Sequence, residues 1–376
     1  MGLSELKPAA STRQAPSIHD PYDAYRSIDC PTGLVTHEPK KVYPGTVVFF
    51  TFAGNKIVTV DPAGNITNEV SRPRSDSLNL VFYRPCKPAA DGFLCTLSHL
   101  DNPKEKRSIG LVDKKGQVVW ATKPLPLSHD FDMVKDRIYT ILRKDEISDG
   151  ETKVSNNVIV LMDKEGSIKW SWSVLGHLAE FRNYNQVQAA IEKKETNNPF
   201  HVNTVQYVNN EFVIKEFGEP IIVLSSRNMN LVFFVGQNTG RILFELDNTT
   251  KGQHYAHIIE SGLPGENNLL VFDNQNNHEK RTPLGGSRVI EIDIKTKKIV
   301  WSYESKPGQP VFFTPIVGSA QRLLNGNTLV CQGYYGRIFE VDRLGNIVWD
   351  YTSPFVDANN YSAEKGPREI FTATKY

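Results

Sequence analysis

The chain carries almost no net charge: 43 Lys and Arg against 42 Asp and Glu leave +1 at pH 7. That balance argues against nucleic acid or an anionic membrane as the main partner. Nowhere do roughly 18 apolar residues run together, so no segment reaches the length needed to span a bilayer. The opening residues, MGLSELKPAASTRQAPS, lack the apolar stretch of a secretory leader. As the sequence stands a cytoplasmic protein is expected, or a periplasmic or secreted one where a leader has been removed. Gly2 follows Met1, but Leu6 stands where a myristoylation signal needs Ser or Thr. Cysteine is scarce, and the four present (Cys30, Cys86, Cys95 and Cys331) have no metal-type pair spacing. Cys95 and Cys331 lie inside apolar runs, the usual place of a small buried hydrophobe. Cys86 and Cys95 are within bridging reach across a hairpin, but without a route to an oxidising compartment they are expected to remain thiols.

What the chain does have is repetition. An apolar strand, an Asp or its stand-in, a tight turn and a second strand recur six times, as IVTVDPAGNITNEV, IGLVDKKGQVVWAT, VIVLMDKEGSIKWSW, LVFFVGQNTGRILFEL, VIEIDIKTKKIVWSY and IFEVDRLGNIVWDY. Four residues past each turn residue stand Asn68, Trp120, Trp170, Phe244, Trp301 and Trp349, and the remaining tryptophan, Trp172, shares a strand with Trp170. Each full repeat reads as four antiparallel strands, clearest in SHDFDMV, RIYTILR, NNVIVLMD and SIKWSWS. Period-2 alternation, β-branched residues and Gly- or Asn-containing turns support each strand. A spacing of about 50 residues is that of a propeller blade. The expected fold is therefore all-β, a six-bladed β-propeller with four-stranded antiparallel blades, whose radial closure leaves only short edges. Hydrophobic content of 39%, with 10% aromatic residues, is ample for its core.

The blades are expected at residues 47–73, 78–123, 128–175, 200–248, 253–305 and 318–354, in a propeller spanning 41–376. The first is short by a strand. Glu369 to Tyr376 (EIFTATKY) alternates like one and is expected to complete that blade, since an open seam leaves backbone groups unpaired. Residues 1–40, Pro-rich and polar, read as an arm or a strap. Insertions at 176–199, helical in its middle, and at 274–287, a polar loop, break the spacing. The tryptophans, all on expected outermost strands, read as interblade packing.

The first strand of each blade lines the channel of a propeller. Aligning SHDFDMV, FHVNTVQYV, QHYAHIIE and GSAQRLL puts His129, His201, His254 and Ser319 at one position. Three imidazoles from successive blades are thus expected at one mouth, a concave cluster of titratable groups of the kind that marks a site. Asn203, two after His201, is expected on the same face, and His257, three after His254, on the opposite one. Arg227, ending the second strand of the His201 blade, offers a planar fork for an anion. Tyr334 and Tyr335 stand in the equivalent place near the seam, as phenolic donors or an aromatic wall.

These residues lie in segments that resemble the bacterial aryl sulfotransferases, which take the sulfuryl group from an aryl sulfate and need no nucleotide cofactor. The segments are SHDFD, FHVNTV, LSSRNMN, GQHYAHI, LLVFDN and GSAQRLLNGNTLVCQGYYGRIFEVDRLGNIVWDY, in a likeness running from about Gly33 to the C-terminus. The resemblance implies a six-bladed propeller, His254 as the nucleophile that becomes a sulfohistidine, and His129, His201, Asn203 and Arg227 as groups that hold the sulfate and assist. Ser319 sits near the family's small hydroxyl residue, and Tyr335 is taken with it as substrate-binding. An aryl sulfate and a phenol are the implied small-molecule partners, with no cofactor and no metal. Within this sequence, neither the N-terminal β domain nor the periplasmic signal of enterobacterial-type members is expected.

That chemistry suits the residues. Sulfuryl transfer moves a trigonal group between in-line atoms, so positioning and charge stabilisation dominate. A neutral imidazole is a sufficient nucleophile at pH 7, and a covalent intermediate splits the reaction into two steps. Arg227, Asn203 and a protonated His129 are expected to offset charge on the sulfuryl oxygens. Three alternatives remain at this stage: a metalloenzyme with His ligands, a non-catalytic binding propeller, and a different small-molecule reaction on the same fold.

Overall fold

The computed structural model describes residues 31–71, 79–103, 105–147, 153–185, 188, 198–275, 286–356 and 368–376. They build six antiparallel sheets arranged as a six-bladed β-propeller. A short strand β1 (Gly33–His37) precedes the first blade, which holds β2 (Val47–Thr51), β3 (Lys56–Val60) and β4 (Ile66–Ser71). The second blade is β5 (Leu80–Ala89), β6 (Gly92–His99), β7 (Arg107–Asp113) and β8 (Val118–Ala121). The third is β9 (Leu127–Val134), β10 (Arg137–Ile147), β11 (Lys153–Met162) and β12 (Ile168–Ser173). The fourth is β13 (Val202–Val208), β14 (Ile221–Ser226), β15 (Leu231–Gly236) and β16 (Ile242–Leu246), with helix α1 (Glu211–Phe217) between its first two strands. The fifth is β17 (His254–Ile258), β18 (Leu269–Asp273), β19 (Arg288–Ile292) and β20 (Ile299–Tyr303). The sixth is β21 (Ser319–Arg322), β22 (Thr328–Gln332), β23 (Arg337–Val341) and β24 (Ile347–Thr352), and the chain ends in β25 (Ile370–Lys375).

The repeated turn has a local cause. Asp61, Asp113, Asp163, Asp293 and Asp342 each accept backbone N–H bonds from the residues that follow, at 2.7–2.9 Å, and a side-chain-closed turn of this kind needs no tertiary help. The fourth blade has Gly236 where the others have Asp. There the Glu219 carboxylate accepts from Asn238 N at 2.6 Å and Thr239 N at 3.1 Å. It fills the space a side chain at Gly236 would take, 2.6 Å from an added Cβ.

The ring closes as the terminal alternation implies. β25 pairs with β2 and becomes the innermost strand of the first blade, with Val47 opposite Lys375 and Phe49 opposite Ala373. It also grips the sixth blade: Lys375 N donates to Gln321 Oε1 at 2.7 Å, and Lys375 Nζ meets Glu340 Oε2 at 2.7 Å, both side chains 0% exposed. Between neighbouring blades lie six apolar clusters, so the core runs around the wheel rather than filling a centre. Indoles reach across the same joints. Trp172 Nε1 donates to Gly240 O, Trp301 to Arg343 O and Trp349 to Pro62 O, at 2.7, 3.0 and 2.9 Å.

Several sequence expectations are corrected. Residues 33–37, placed in the arm, form β1, which pairs with β24 as a fifth strand of the sixth blade and leaves Trp349 in its last strand but one. Cys86 and Cys95 are bonded as a disulfide. They stand directly opposite in the β5–β6 register, and that proximity outweighs an argument from leader sequences. The 176–199 insertion opens with a 3-10 helix, Leu175–Glu180, while most of its expected helical middle, like most of the 274–287 loop and residues 1–30 of the arm, lies outside the described residues.

A cluster of imidazoles at the inner ends of the blades

Five of the six innermost strands are bulged. The register slips at Tyr83/Cys86 in β5, Thr140/Ile141 opposite β9, Val202/Thr204 in β13, His254/Ala256 in β17 and Phe49/Thr51 opposite β25, while β21 pairs without interruption. A bulge re-aims side chains at the expense of regular pairing. Backbone strain accompanies it: His129, His201 and Tyr255 hold φ of +56°, +47° and +49°, a region non-glycine residues avoid unless the surroundings impose it.

These distortions gather the three imidazoles. The rings of His129 and His201 lie 4.6 Å apart between centroids, and those of His201 and His254 lie 6.5 Å apart. His254 is buried, with Nδ1 2.8 Å from Asn274 Oδ1. Asn198 Nδ2 stands 3.3 Å from His201 Nδ1. The Phe371 ring, on the innermost strand of the first blade, stacks beside His129 at 6.4 Å. Tyr334 and Tyr335 sit in a short 3-10 helix, buried with Phe371 and Val317 as an aromatic wall.

Two guanidiniums complete the cluster. Arg227 donates from Nη1 to Asn228 Oδ1 at 3.0 Å, while its Nε is buried with no partner among the described residues. Arg84, which the sequence reading missed, lies over the Phe371 ring at 4.8 Å and pairs with Glu369 at 3.1 Å. Its signal was YRPC: a Pro within a strand marks a bulge, and Arg84 stands just before it.

Burial and nearby positive charge push all three rings of the cluster below the ordinary imidazole range. His129 is pushed well below its ordinary range by burial, then by His201 and Arg84. Burial and Arg227 lower His201 to about 3. The same two causes depress His254, against a smaller opposing effect from its Asn274 hydrogen bond. The expectation of a protonated His129 is therefore corrected: taking a proton out of water into a site beside Arg84 is unfavourable.

The remaining sequence candidates sit at the margins. Asn203 is the bulged residue of β13, so alternation does not set its direction; its Nδ2 donates to Gln253 O at 2.9 Å, at the entry to His254. Ser319 Oγ accepts from Ala373 N at 3.2 Å and so ties the sixth blade to the closing strand. His257 lies away from the trio, in a channel cavity of about 260 Å³ that Lys87, Asp132, Gln206, Gln321 and Thr374 also line. Among the described residues no group of three His, Cys, Asp or Glu side chains is arranged to hold a metal ion.

The cluster offers uncharged nitrogen lone pairs and N–H donors beside fixed positive charge. That suits an anion whose central atom is open to nucleophilic attack. Residues 129–354, more than half of the chain, match the family model of the arylsulfotransferases (ASST). Among solved structures, a protein of unknown function from Bacteroides caccae is similar at a TM-score of 0.52 and 12% identity, over 89% of this chain and 99% of that one; the likeness is one of fold. A streptogramin B lyase (14% identity, 86% and 82% covered, TM-score 0.42) and Citrobacter koseri AztD (10%, 92% and 75%, 0.36) are more distant. No curated protein matches the chain.

Proposed function

The chain belongs to the arylsulfotransferase family, and we propose that it moves a sulfuryl group from an aryl sulfate to a phenol through a sulfated His254. The observation that carries this reading is the meeting of three neutral imidazoles from three blades beside Arg84 and Arg227. In the first half-reaction a His254 ring nitrogen attacks sulfur. An N–S bond forms as the bond from sulfur to the aryl oxygen breaks, and a phenolate leaves with the electron pair. In the second, the acceptor's phenolic oxygen attacks the same sulfur, the N–S bond breaks and its pair returns to the imidazole. The acceptor's phenolic proton passes to solvent as its oxygen attacks, while His129, held neutral, accepts a hydrogen bond from that hydroxyl and positions it. Arg84 and Arg227 face the sulfuryl oxygens, where fixed charge is worth most in a water-poor site. No nucleotide takes part.

The Cys86–Cys95 disulfide favours an oxidising compartment for this chemistry over the cytoplasm. Initial rates with a chromogenic aryl sulfate and a varied phenol test the proposal. Parallel double-reciprocal lines are expected of a carrier mechanism; intersecting lines, or no turnover, count against it.

A further inference from the structure

We propose that Asn274 and Asn198 are positioning residues that set opposite tautomers on His254 and His201, so that one imidazole lone pair and one imidazole N–H face the same substrate. The chemical use of this arrangement rests on the reading above; the tautomers themselves do not.

The Asn274 carboxamide is locked by partners that can only accept. Its Nδ2 donates to Thr314 O and to Val317 O, both at 2.9 Å. Turned over, its oxygen would face two carbonyl oxygens, so the orientation follows from the network. The corner that carries it is also fixed. Asp273, just before it, is 0% exposed, pairs with Arg288 at 2.9 Å and accepts Lys251 N at 2.8 Å. Val317 holds φ of +56° at the carbonyl that receives Asn274, a conformation a β-branched residue adopts only under compulsion. Gly318 follows because a Cβ there would lie 2.6 Å from the Phe272 ring.

Asn274 Oδ1 therefore presents an acceptor 2.8 Å from His254 Nδ1. That nitrogen must carry the hydrogen, and a neutral imidazole has only one. Nε2 is left with its lone pair. At His201 the logic reverses. Asn198 Oδ1 accepts the His201 backbone N–H at 3.1 Å, which turns Nδ2 toward His201 Nδ1 at 3.3 Å. Nδ1 accepts, and the proton resides on Nε2.

In the transfer step Nε2 of His254 forms the N–S bond while the aryl oxygen leaves with its electron pair. The ring becomes cationic, with Nδ1–H still held by Asn274 Oδ1, whose dipole favours that charge. His201 Nε2–H donates a hydrogen bond to a sulfuryl oxygen and gives up no proton. Asn274 thus acts through His254, and Asn198 through His201.

The test reads tautomers in the resting protein, by two-bond proton–nitrogen NMR spectra of ¹⁵N-histidine-labelled enzyme, assigned with His254→Asn and His201→Asn. The wild type is expected to show Nδ1–H on His254 and Nε2–H on His201. Asn274→Leu should mix the His254 tautomers and lower kcat on the order of 10² to 10⁴-fold, with KM for the aryl sulfate moving far less. Asn274→Asp loses both donor bonds, so it should melt earlier. It keeps the acceptor, so it should retain the His254 tautomer, recover part of kcat and shift the acid limb of the rate profile to higher pH, because a carboxylate favours imidazolium. A merely structural Asn274 predicts that Asp and Leu fail alike. A wild-type His254 protonated at Nε2, or a tautomer unchanged in Asn274→Leu, overturns the proposal. Tautomers as assigned in a protein that leaves aryl sulfates intact would support it while removing the reading on which its chemistry rests.

Discussion

Each outer hairpin of the wheel turns on a carboxylate that accepts backbone N–H groups, and the same register step follows in all six blades. The innermost strands share no such rule: five carry bulges, and His129, His201 and Tyr255 sit at positive φ. The rim is built from local, repeatable bonds, and the hub from distortions that only the surrounding blades can hold. Regularity at the rim supplies stability; irregularity at the hub aims side chains at one another. Strain concentrated beside clustered titratable groups is where function is expected.

The sharpest way to probe the difference is to remove a hub strand. Deleting residues 369–376 takes away β25 and leaves Glu340 without Lys375 in a buried site, a defect worth roughly 3–5 kcal/mol before the lost pairing is counted. Loss of the cooperative melting transition is expected; a melting temperature like that of the intact chain breaks the closure argument.

Acid should find the hub before the rim. Burial holds His201 at about 3 and His257 at about 4, whereas an unfolded chain takes up the same protons near pH 6.5. The native state binds fewer protons in that window, so stability is complete above about pH 6.5 and is lost as pH falls toward the folded values. Each of these imidazoles contributes a slope of about 1.4 kcal/mol per pH unit. Denaturant titrations at several pH values check this, and a flat profile from neutral pH to about pH 5 contradicts it.

Smaller effects separate the two regions further. Asp113→Ala removes acceptors for Lys115 N and Gln117 N at a rim turn. It should cost about 1 kcal/mol and leave the rate of transfer unchanged. His129→Gly should depress transfer, and the relief of its positive φ, worth about 1 kcal/mol, should offset only part of what is lost with a ring packed against His201 and Phe371. Paired melting curves and turnover rates read both.

The same contrast explains what the sequence disclosed. Asp113, Asp163 and Asp342 close their turns within four residues, so the repeat, the blade limits and the wheel could all be read from it. EIFTATKY disclosed the closing strand because its alternation is local. Helix α1 was overlooked although its signals were present: Asn210 caps it by accepting Val213 N at 2.9 Å, and Gly218 ends it at φ +80°. The strand reading of the blade overrode them. At the hub, aligning the innermost strands put His129, His201 and His254 at one position, but alternation along a strand could not foresee bulges, so Arg84 was missed and Asn203 was given a simple face. The charge state of His129 depends on Arg84 and on burial, neither of which is written in its own strand. Asn274 was noticed only as part of LLVFDN and as the start of the 274–287 loop, because its partners Thr314 and Val317 stand 40 and 43 residues away.

The central claim is that His254 carries the sulfuryl group, and a single-turnover experiment tests it most directly. Wild-type protein mixed with a chromogenic aryl sulfate and no acceptor should release one equivalent of phenol in a burst. The sulfate should then be found by peptide mass analysis on the segment containing His254, and both signals should vanish in His254→Asn. A burst of undiminished size in that variant, or sulfate recovered on another residue, contradicts the mechanism.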